Sequence, residues 1–254
     1  MGHQDETNVA RAASKDLHSA RNHAHNENID KWCFSWLADA PNVDGVERAA
    51  LLNNTKWTPG CSISISFLDG DPEVQERVKK AAMQWINLGG ANLTFDFRKN
   101  TTDTNIRISF DSPGSWSVLG TTCLKVQDLS KPTMNFGWLT KDTPDEELNR
   151  VVLHEFGHAI GLVHEHMNPQ GGIEWNKDQV IKDLSGPPNN WSLSVIENNM
   201  FKTFQQGETN STPLDKGSIM MYPVPAKWTR NGFSVGLNAQ LSSTDINFIK
   251  QVYF

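Results

Sequence analysis

The feature that most restricts the fold is a short histidine-rich stretch, HEFGHAIGLVH, at residues 154–164. His154 and His158 stand four residues apart, so on a helix both side chains project from one face, about one turn apart. Gly161 follows, and a glycine at a helix end adopts a left-handed conformation without the penalty that a Cβ imposes. The chain can then reverse and return His164 to the same face. The pattern therefore predicts a helix and turn that bring three imidazoles together.

Three imidazoles at one point are a ligand set typical of catalytic zinc, which binds three side chains and keeps a fourth position for water or substrate. Glu155 adjoins the first histidine, and a carboxylate there can take a proton from water and return it to a leaving amine. A structural zinc site is instead closed by four protein ligands. We therefore expect His154, His158 and His164 to bind Zn²⁺, with Glu155 as the general base and acid.

The same stretch resembles the consensus of the metzincin zinc peptidases, H-E-x-x-H-x-x-G-x-x-H. The second half of the metzincin signature is a tight turn with a methionine beneath the metal, and Ser218–Tyr222, with the sequence SIMMY, resembles it. From about residue 56 to residue 254 the chain is similar to a bacterial and fungal subgroup of astacin-like peptidases, in segments such as FLDGDPEVQERV, PTMNFGWL and HEHMNP. The resemblance implies hydrolysis of peptide bonds.

The resemblance also implies roles for two residues of the SIMMY turn. Met220 would be the methionine beneath the metal. Tyr222 would be the tyrosine that ligates zinc and then swings to stabilise the oxyanion, and a phenol suits both tasks because it donates a hydrogen bond and, when ionised, offers an oxygen ligand. Glu165 occupies the position that meets the released N-terminus in astacins, but we find no matching N-terminus and assign it no such role. We expect His166 to form hydrogen bonds near the site and not to bind the metal.

The implied fold is the zincin fold of the α+β class. It places a mixed, twisted sheet and two long helices in an N-terminal lobe of residues 56–164, followed by an irregular C-terminal lobe of residues 165–254 that ends in a helix. A cleft is expected between the lobes, where a strand at the sheet edge binds extended substrate by main-chain hydrogen bonds. PTMNFGWL, residues 132–139, is our candidate for that strand. Residues 1–55 are interpreted as an N-terminal arm or pro-segment.

Alternating apolar residues predict the strands of this layout. CSISISF, residues 61–67, alternates serine with large apolar side chains, as a half-buried strand does. The same alternation around Phe95 and around Ile108 predicts two more strands. GTTCLKV, residues 120–126, is a weaker strand candidate.

Capping signals predict where the helices begin. Asp71 followed by Pro72 is typical of a helix start, and Gly89–Gly90 of its end. Thr143–Glu146 has the pattern of a capping box, which would open the helix of the histidine motif. Three later helices are expected, around residues 176–184, around residues 190–201 and through Ile246 to Val252.

Charge and composition argue against several partners. The net charge of −6 over 254 residues does not favour binding to nucleic acid or to an anionic membrane surface, and the longest apolar runs are too short to span a bilayer. We expect a protein or peptide substrate, and the oligomeric state is left open. The N-terminal stretch MGHQDETNVARAASKD lacks the apolar segment of a secretory signal. An intracellular or non-classically secreted protein is therefore expected.

Three cysteines, Cys33, Cys61 and Cys123, are too few for a disulfide framework and do not support the disulfides of typical astacins. A thiolate in an N-terminal extension can occupy the open zinc position and hold an enzyme latent until the extension is removed. Cys33 lies upstream of the catalytic region and is the candidate for this thiolate. The alternatives are a small buried apolar side chain or a disulfide with Cys61 or Cys123.

Two other functions are compatible with the same residues. A zinc hydrolase dedicated to one small or peptide substrate of a biosynthetic pathway would use the same site. A non-catalytic, zinc-stabilised interaction domain would need the histidines but not Glu155. The presence of Glu155 argues against the non-catalytic domain, and the family resemblance favours a zinc-dependent endopeptidase.

Overall fold

The computed structural model describes residues 33–36, 55–187, 189–203 and 213–254. Within them the chain forms six strands: β1 (Cys33–Trp36), β2 (Ser62–Phe67), β3 (Thr94–Phe97), β4 (Ile106–Ser109), β5 (Ser115–Val118) and β6 (Met134–Phe136). They make one sheet in the order β1-β5-β6-β4-β2-β3. β5 and β6 pair antiparallel and the other neighbours pair parallel, so the sheet is mixed, as predicted.

Six α-helices accompany the sheet in the described residues: α1 (Pro72–Ala82), α2 (Gln84–Asn87), α3 (Asp145–Ala159), α4 (Lys177–Ser185), α5 (Leu193–Ile196) and α6 (Ser243–Val252). Short 3₁₀ turns lie at Gly120–Lys125, Glu165–Met167 and Ala226–Trp228, and a π-helical turn at Glu197–Phe201. The two long helices α1 and α3 precede a C-terminal region of short elements that ends in α6, as expected. None of the described helices has the length and apolar character needed to cross a membrane.

Strand β2 is buried on both faces and is not the half-buried strand that its alternation predicted. Ile63 and Ile65 are fully buried, but Ser64 and Ser66 on the opposite face are only 7% and 1% exposed. The hydroxyl of Ser64 donates to Asn105 over 2.9 Å, and that of Ser66 lies 2.8 Å from the Thr104 hydroxyl. The prediction was wrong because the segment before β4 covers the serine face and supplies polar partners there.

The segment PTMNFGWL forms β6, but this strand does not lie at the edge of the sheet. It pairs with β4 on one side and with β5 on the other, so its main-chain groups are used within the sheet. The prediction that this segment lines the cleft as the edge strand is therefore wrong. The sequence pattern correctly identifies the segment as a strand. Its interior place in the sheet results from β5, which pairs with the outer side of β6, and β1 pairs in turn with the outer side of β5.

The segment GTTCLKV forms a 3₁₀ turn, so its assignment as a strand is also wrong. Gly120 has a φ of 49°, outside the range of an extended strand. The Thr122 hydroxyl donates to the carbonyl of Leu119 over 2.6 Å. Such local side-chain bonds to the main chain compete with sheet pairing.

Helix α1 begins with the predicted cap, whereas α3 does not. The Asp71 carboxylate accepts a hydrogen bond from the Glu73 amide over 2.8 Å. No side chain caps α3, because the Thr143 hydroxyl accepts from the amide of Thr140 instead. The first turn of α3 carries three acidic residues, Asp145, Glu146 and Glu147. Their negative charges interact favourably with the positive, N-terminal end of the α3 dipole. This interaction stabilises the start of α3 in place of the predicted capping box.

The C-terminal end of α3 is held by side chains from both ends of the region 55–254. The indole nitrogen of Trp57 donates to the Ala159 carbonyl over 2.8 Å, and the Tyr253 hydroxyl donates to the Ile160 carbonyl over 2.6 Å. The last carbonyls of a helix have no partner within the helix, so these bonds satisfy groups that would otherwise be buried unpaired. The end of α3, within the histidine motif, is therefore held in a fixed position.

We expect Tyr253→Phe to lower the free energy of unfolding by about 1–3 kcal/mol, because the buried Ile160 carbonyl loses its donor. Burial raises the pKa of Tyr253 to about 12, above its usual value of about 10. The folded state thus retains this proton more strongly, so its stabilising effect is complete below about pH 10 and is lost towards pH 12.

Urea denaturation at several pH values measures both effects. The difference in stability between wild type and Tyr253→Phe should shrink as the pH rises above about 10. Phe254→Ala is the matched control, since this neighbouring side chain is 99% exposed. A constant difference across the alkaline range would contradict the assignment.

Candidate metal centre

Three buried imidazoles meet at the end of α3. His154, His158 and His164 are 3%, 0% and 2% exposed. The Nε2 atom of His158 lies 3.1 Å from the Nε2 atoms of both His154 and His164. Two nitrogens bound to one tetrahedral zinc at about 2.0–2.1 Å would be about 3.3 Å apart. The donor atoms, which form the one metal-binding cluster among the described residues, therefore fit a zinc ion.

Main-chain carbonyls orient two of these imidazoles. The Nδ1 atom of His154 lies 2.8 Å from the Ile219 carbonyl, and that of His158 lies 2.8 Å from the Leu162 carbonyl. A carbonyl only accepts, so in both rings Nδ1 carries the proton and Nε2 keeps its lone pair for a metal. Burial lowers the pKa of His158 to about 4 and shifts the pKa of His154 and His164 in the same direction. The three ligands are therefore neutral near pH 7.

The turn after α3 has the geometry expected from Gly161. Its φ is 93°, in the left-handed region that suits glycine. The amide of Gly161 donates to the His158 carbonyl over 2.8 Å, and that of Leu162 to the Gly157 carbonyl over 2.9 Å. This pair of bonds is a Schellman motif, which ends the helix and reverses the chain. The reversal brings His164 to the other two histidines, as predicted.

Glu155 lies in α3 between two of the histidines and is fully buried. It stands three residues before His158, a spacing that puts two side chains on neighbouring parts of a helix surface. Its role as the general base stays a prediction.

The Ser218–Tyr222 segment passes directly against the histidine motif. The amide of Met221 donates to the Ser218 carbonyl over 3.1 Å, which closes a tight turn, and the Met220 carbonyl accepts from Glu165 over 3.0 Å. A Cβ at Gly157 would overlap the Met220 sulfur. Gly157 thus leaves the space in which Met220 packs, a role that the sequence analysis did not assign.

Tyr222 lies beside the histidines, where the family resemblance placed it. Its side chain is 2% exposed, and its ring centroid is 4.1 Å from that of His164 and 5.9 Å from that of His154. His166 is also buried, and its Nε2 atom lies 2.7 Å from the Asn199 carbonyl. His166 is therefore a hydrogen-bonding residue near the cluster, in line with its expected role.

Asp245 is a supporting residue that the sequence analysis missed. Its carboxylate accepts hydrogen bonds from the Ser218 hydroxyl, the Ile219 amide and the Ser242 amide, over 2.7, 2.8 and 2.9 Å. These bonds tie the start of α6 to the turn whose carbonyl orients His154. The available signal was the spacing Ser242-x-x-Asp245, which forms a capping box at the start of α6.

The main chain of Cys33 lies in β1, opposite Ser115 of β5, and the position of its side chain is outside the described part of the structure. Cys61 and Cys123 are free thiols, so the structure does not contain the disulfides considered for them. Burial raises the pKa of Cys123 to about 12 and keeps this thiol protonated. The latency role of Cys33 stays a prediction.

Residues 50–254 match the family model described as Astacin (Peptidase family M12A). The chain belongs to the astacin family. Its fold is accordingly the zincin fold of the metzincins, its domain is that of a zinc metalloendopeptidase, and its cofactor is zinc. The histidine cluster described above supplies a donor set for that ion.

Two solved structures of myroilysin are similar to this astacin-family chain. One has a TM-score of 0.76 and 42% identity, with 80% of this chain and 97% of that chain covered. The other has a TM-score of 0.64 and 39% identity, with 88% and 90% covered.

Two curated relatives from Caenorhabditis elegans are more distant. Zinc metalloproteinase nas-24 is 24% identical over 174 residues, 66% of this chain and 36% of the relative. Zinc metalloproteinase nas-30 is 21% identical over 229 residues, 85% of this chain and 27% of the relative. The chain thus spans about a third of the length of these relatives.

We expect Gly157→Ala to destabilise the zinc-loaded protein by about 1–3 kcal/mol, because the new methyl group has to displace the Met220 side chain that packs against Gly157. Helix propensity alone would favour alanine by about 1 kcal/mol, so the sign of the effect decides between the two causes. Met220→Ala in the same chain should relieve the overlap. Urea denaturation of both single variants and the double variant measures the coupling, and additive effects would contradict direct packing.

Proposed function

We propose that the whole protein is a zinc-dependent endopeptidase that cleaves bonds within protein or peptide substrates, with His154, His158 and His164 as the metal ligands. The observation that carries this proposal is the convergence of three buried, neutral imidazoles on one point in an astacin-family domain. Zinc bound there supplies a Lewis acid that polarises the scissile carbonyl and acidifies water.

Two side chains carry the proton transfer and the charge stabilisation in this proposal. Glu155 takes a proton from the attacking water and returns it to the leaving amine. Tyr222 donates a hydrogen bond to the oxyanion that develops on the substrate carbonyl. Both residues are buried beside the histidines, in surroundings of low dielectric that strengthen their electrostatic effect. Met220, the proposed Met-turn residue, packs against α3 at Gly157.

The proposed domain boundary places the catalytic domain at residues 56–254 and the N-terminal arm at residues 1–55. The hydrogen bonds of Trp57 and Tyr253 to the end of α3 support this proposal, because residues close to both ends of the segment 56–254 stabilise the helix that carries the histidine motif. The match of the family model to residues 50–254 agrees with a boundary in this region.

Glu155→Gln should keep one zinc per chain and lower peptidase turnover by at least about 10²-fold, because the amide cannot take the proton from water. The measurement uses an unfolded protein substrate carrying a quenched fluorophore, before and after limited proteolysis of the N-terminal arm, with metal analysis of the same samples. Glu146→Gln is the matched control, since it makes the same change at an exposed position of the same helix. A chelator should abolish the turnover of the wild type.

Two results would oppose the proposal. Undiminished turnover in Glu155→Gln would remove the carboxylate from the reaction. Turnover restricted to one short peptide, with no cleavage of unfolded proteins, would favour the dedicated hydrolase. The expected loss of turnover in Glu155→Gln supports the proposal only if the variant retains zinc, because loss of metal would explain inactivity by itself.

We further propose that the N-terminal arm holds the enzyme latent, with Cys33 as the thiolate that occupies the open zinc position. The pairing of β1 with β5 supports this proposal. In the absence of β1, β5 would be the outermost strand at this side of the sheet. The arm therefore occupies main-chain groups that an extended substrate would need.

Cys33→Ser should raise the turnover of the full-length chain, because a hydroxyl binds zinc far more weakly than a thiolate. Cys61→Ser is the control, as it alters a free thiol within the catalytic domain. Turnover of the same quenched substrate is measured before and after limited proteolysis of the arm. Equal turnover of wild type and Cys33→Ser before proteolysis would reject the thiolate.

A further inference from the structure

We infer that His166 is a positioning residue for Tyr222. Its imidazole, bound to the main chain at Asn199, sets the plane in which the Tyr222 ring lies beside the histidine cluster. The inference rests on the role proposed above for Tyr222 and adds a residue that acts through it.

Tyr222, His164 and His166 form a buried group of three rings, which we call the ring triad. The ring centroids of Tyr222 and His166 are 4.8 Å apart with an interplanar angle of 20°, so the two rings are stacked. Tyr222 and His164 are 4.1 Å apart, and His164 and His166 are 5.3 Å apart. Each side chain is 2% exposed. In close-packed surroundings these two imidazoles limit the orientations that the Tyr222 ring can take beside the ligands.

The main chain of another segment holds His166 in the ring triad. Its Nε2 atom donates to the Asn199 carbonyl over 2.7 Å. Asn199 lies in the π-helical turn Glu197–Phe201, a type of turn that is frequent at functional sites. The ring of Trp175 meets His166 edge-on at 6.2 Å and lies 5.9 Å from the ring of Phe201 in the same turn. Two contacts thus connect His166 to this turn.

The second ring nitrogen of His166, Nδ1, is buried and has no hydrogen-bond partner among the described residues. The contacts that the structure describes for this imidazole are the bond of Nε2 to Asn199 and the rings of Tyr222, His164 and Trp175. The orientation of the His166 ring is therefore set by one hydrogen bond and by ring packing, in which the stacking on Tyr222 takes part.

In its proposed role, Tyr222 acts in the transition state and not in substrate binding. The oxyanion develops only on the way to the transition state, so misplacing its donor lowers kcat and leaves substrate binding unchanged. A displacement of about 1 Å at a reacting group can cost about 10²-fold in rate. Removing the His166 ring should therefore lower kcat with little change in KM.

The kinetic test uses zinc-loaded protein with its arm removed by limited proteolysis. His166→Ala should lower kcat about tenfold, Tyr222→Phe about 10²-fold, and the double variant no further than Tyr222→Phe alone. His166→Phe keeps a ring on Tyr222 and should restore most of kcat. His166→Gln keeps a donor for Asn199 without the ring and should resemble His166→Ala. An unchanged kcat in His166→Ala, or an equal further loss in the Tyr222→Phe background, would overturn the inference.

A second measurement does not depend on activity. The chain has two tyrosines, Tyr222 and Tyr253, so protein labelled with 3-fluorotyrosine gives two ¹⁹F resonances, which Tyr253→Phe assigns. In zinc-loaded protein without substrate, His166→Ala and His166→Gln should shift and broaden the Tyr222 resonance and leave that of Tyr253 in place. His166→Phe should give a sharp Tyr222 resonance.

The two measurements separate failure of the inference from failure of the proposed function. A Tyr222 resonance that stays sharp and unshifted in His166→Ala would overturn the positioning role even if the protein is an active peptidase. A shifted resonance in a protein without peptidase activity would retain the contact and reject the proposed function. If the Tyr253 resonance also moves in His166→Ala, the fold has changed, and the comparison of His166→Phe with His166→Gln decides.

Discussion

The structure depends on a fixed end for α3, because the three imidazoles meet only if the helix stops after Ala159 and the chain reverses at Gly161. The Schellman bonds of the turn act locally, within five residues. Trp57 and Tyr253 act from far along the chain, on the carbonyls that the helix leaves free. The zinc donor set is therefore a product of the whole domain, although its ligands lie within one short motif.

The donor geometry was predictable from the sequence because it depends on local periodicity. The four-residue spacing of His154 and His158 and the glycine that follows determine where the imidazoles point, and the structure agrees. The contacts that support the donors were not predictable in this way. Asp245 reaches the turn before Tyr222 from a helix nearly thirty residues later, and Gly157 matters only because Met220 packs against it.

The errors in the predicted fold have the same origin. Alternation identified β2 as a strand, but its serine face is buried because Thr104 and Asn105 lie over it. The pattern of PTMNFGWL identified β6, but its interior place depends on pairing with β4 and β5. Local patterns state what an element is, whereas exposure and position in a sheet depend on distant partners.

The chemical groups of the site come mainly from the local histidine motif, whereas their exact positions depend on contacts with distant parts of the chain. Three neutral imidazoles leave the charge of a bound dication uncancelled, and the motif itself contains Glu155, the proposed base. Tyr222 comes from a different part of the chain, so its position relative to the ligands has to be set by packing. The stacking with His166, which is joined to α3 through the Gly161 turn and to the π-helical turn through Asn199, provides that setting. A substitution that spares every ligand can therefore impair the reaction through the orientation of one ring.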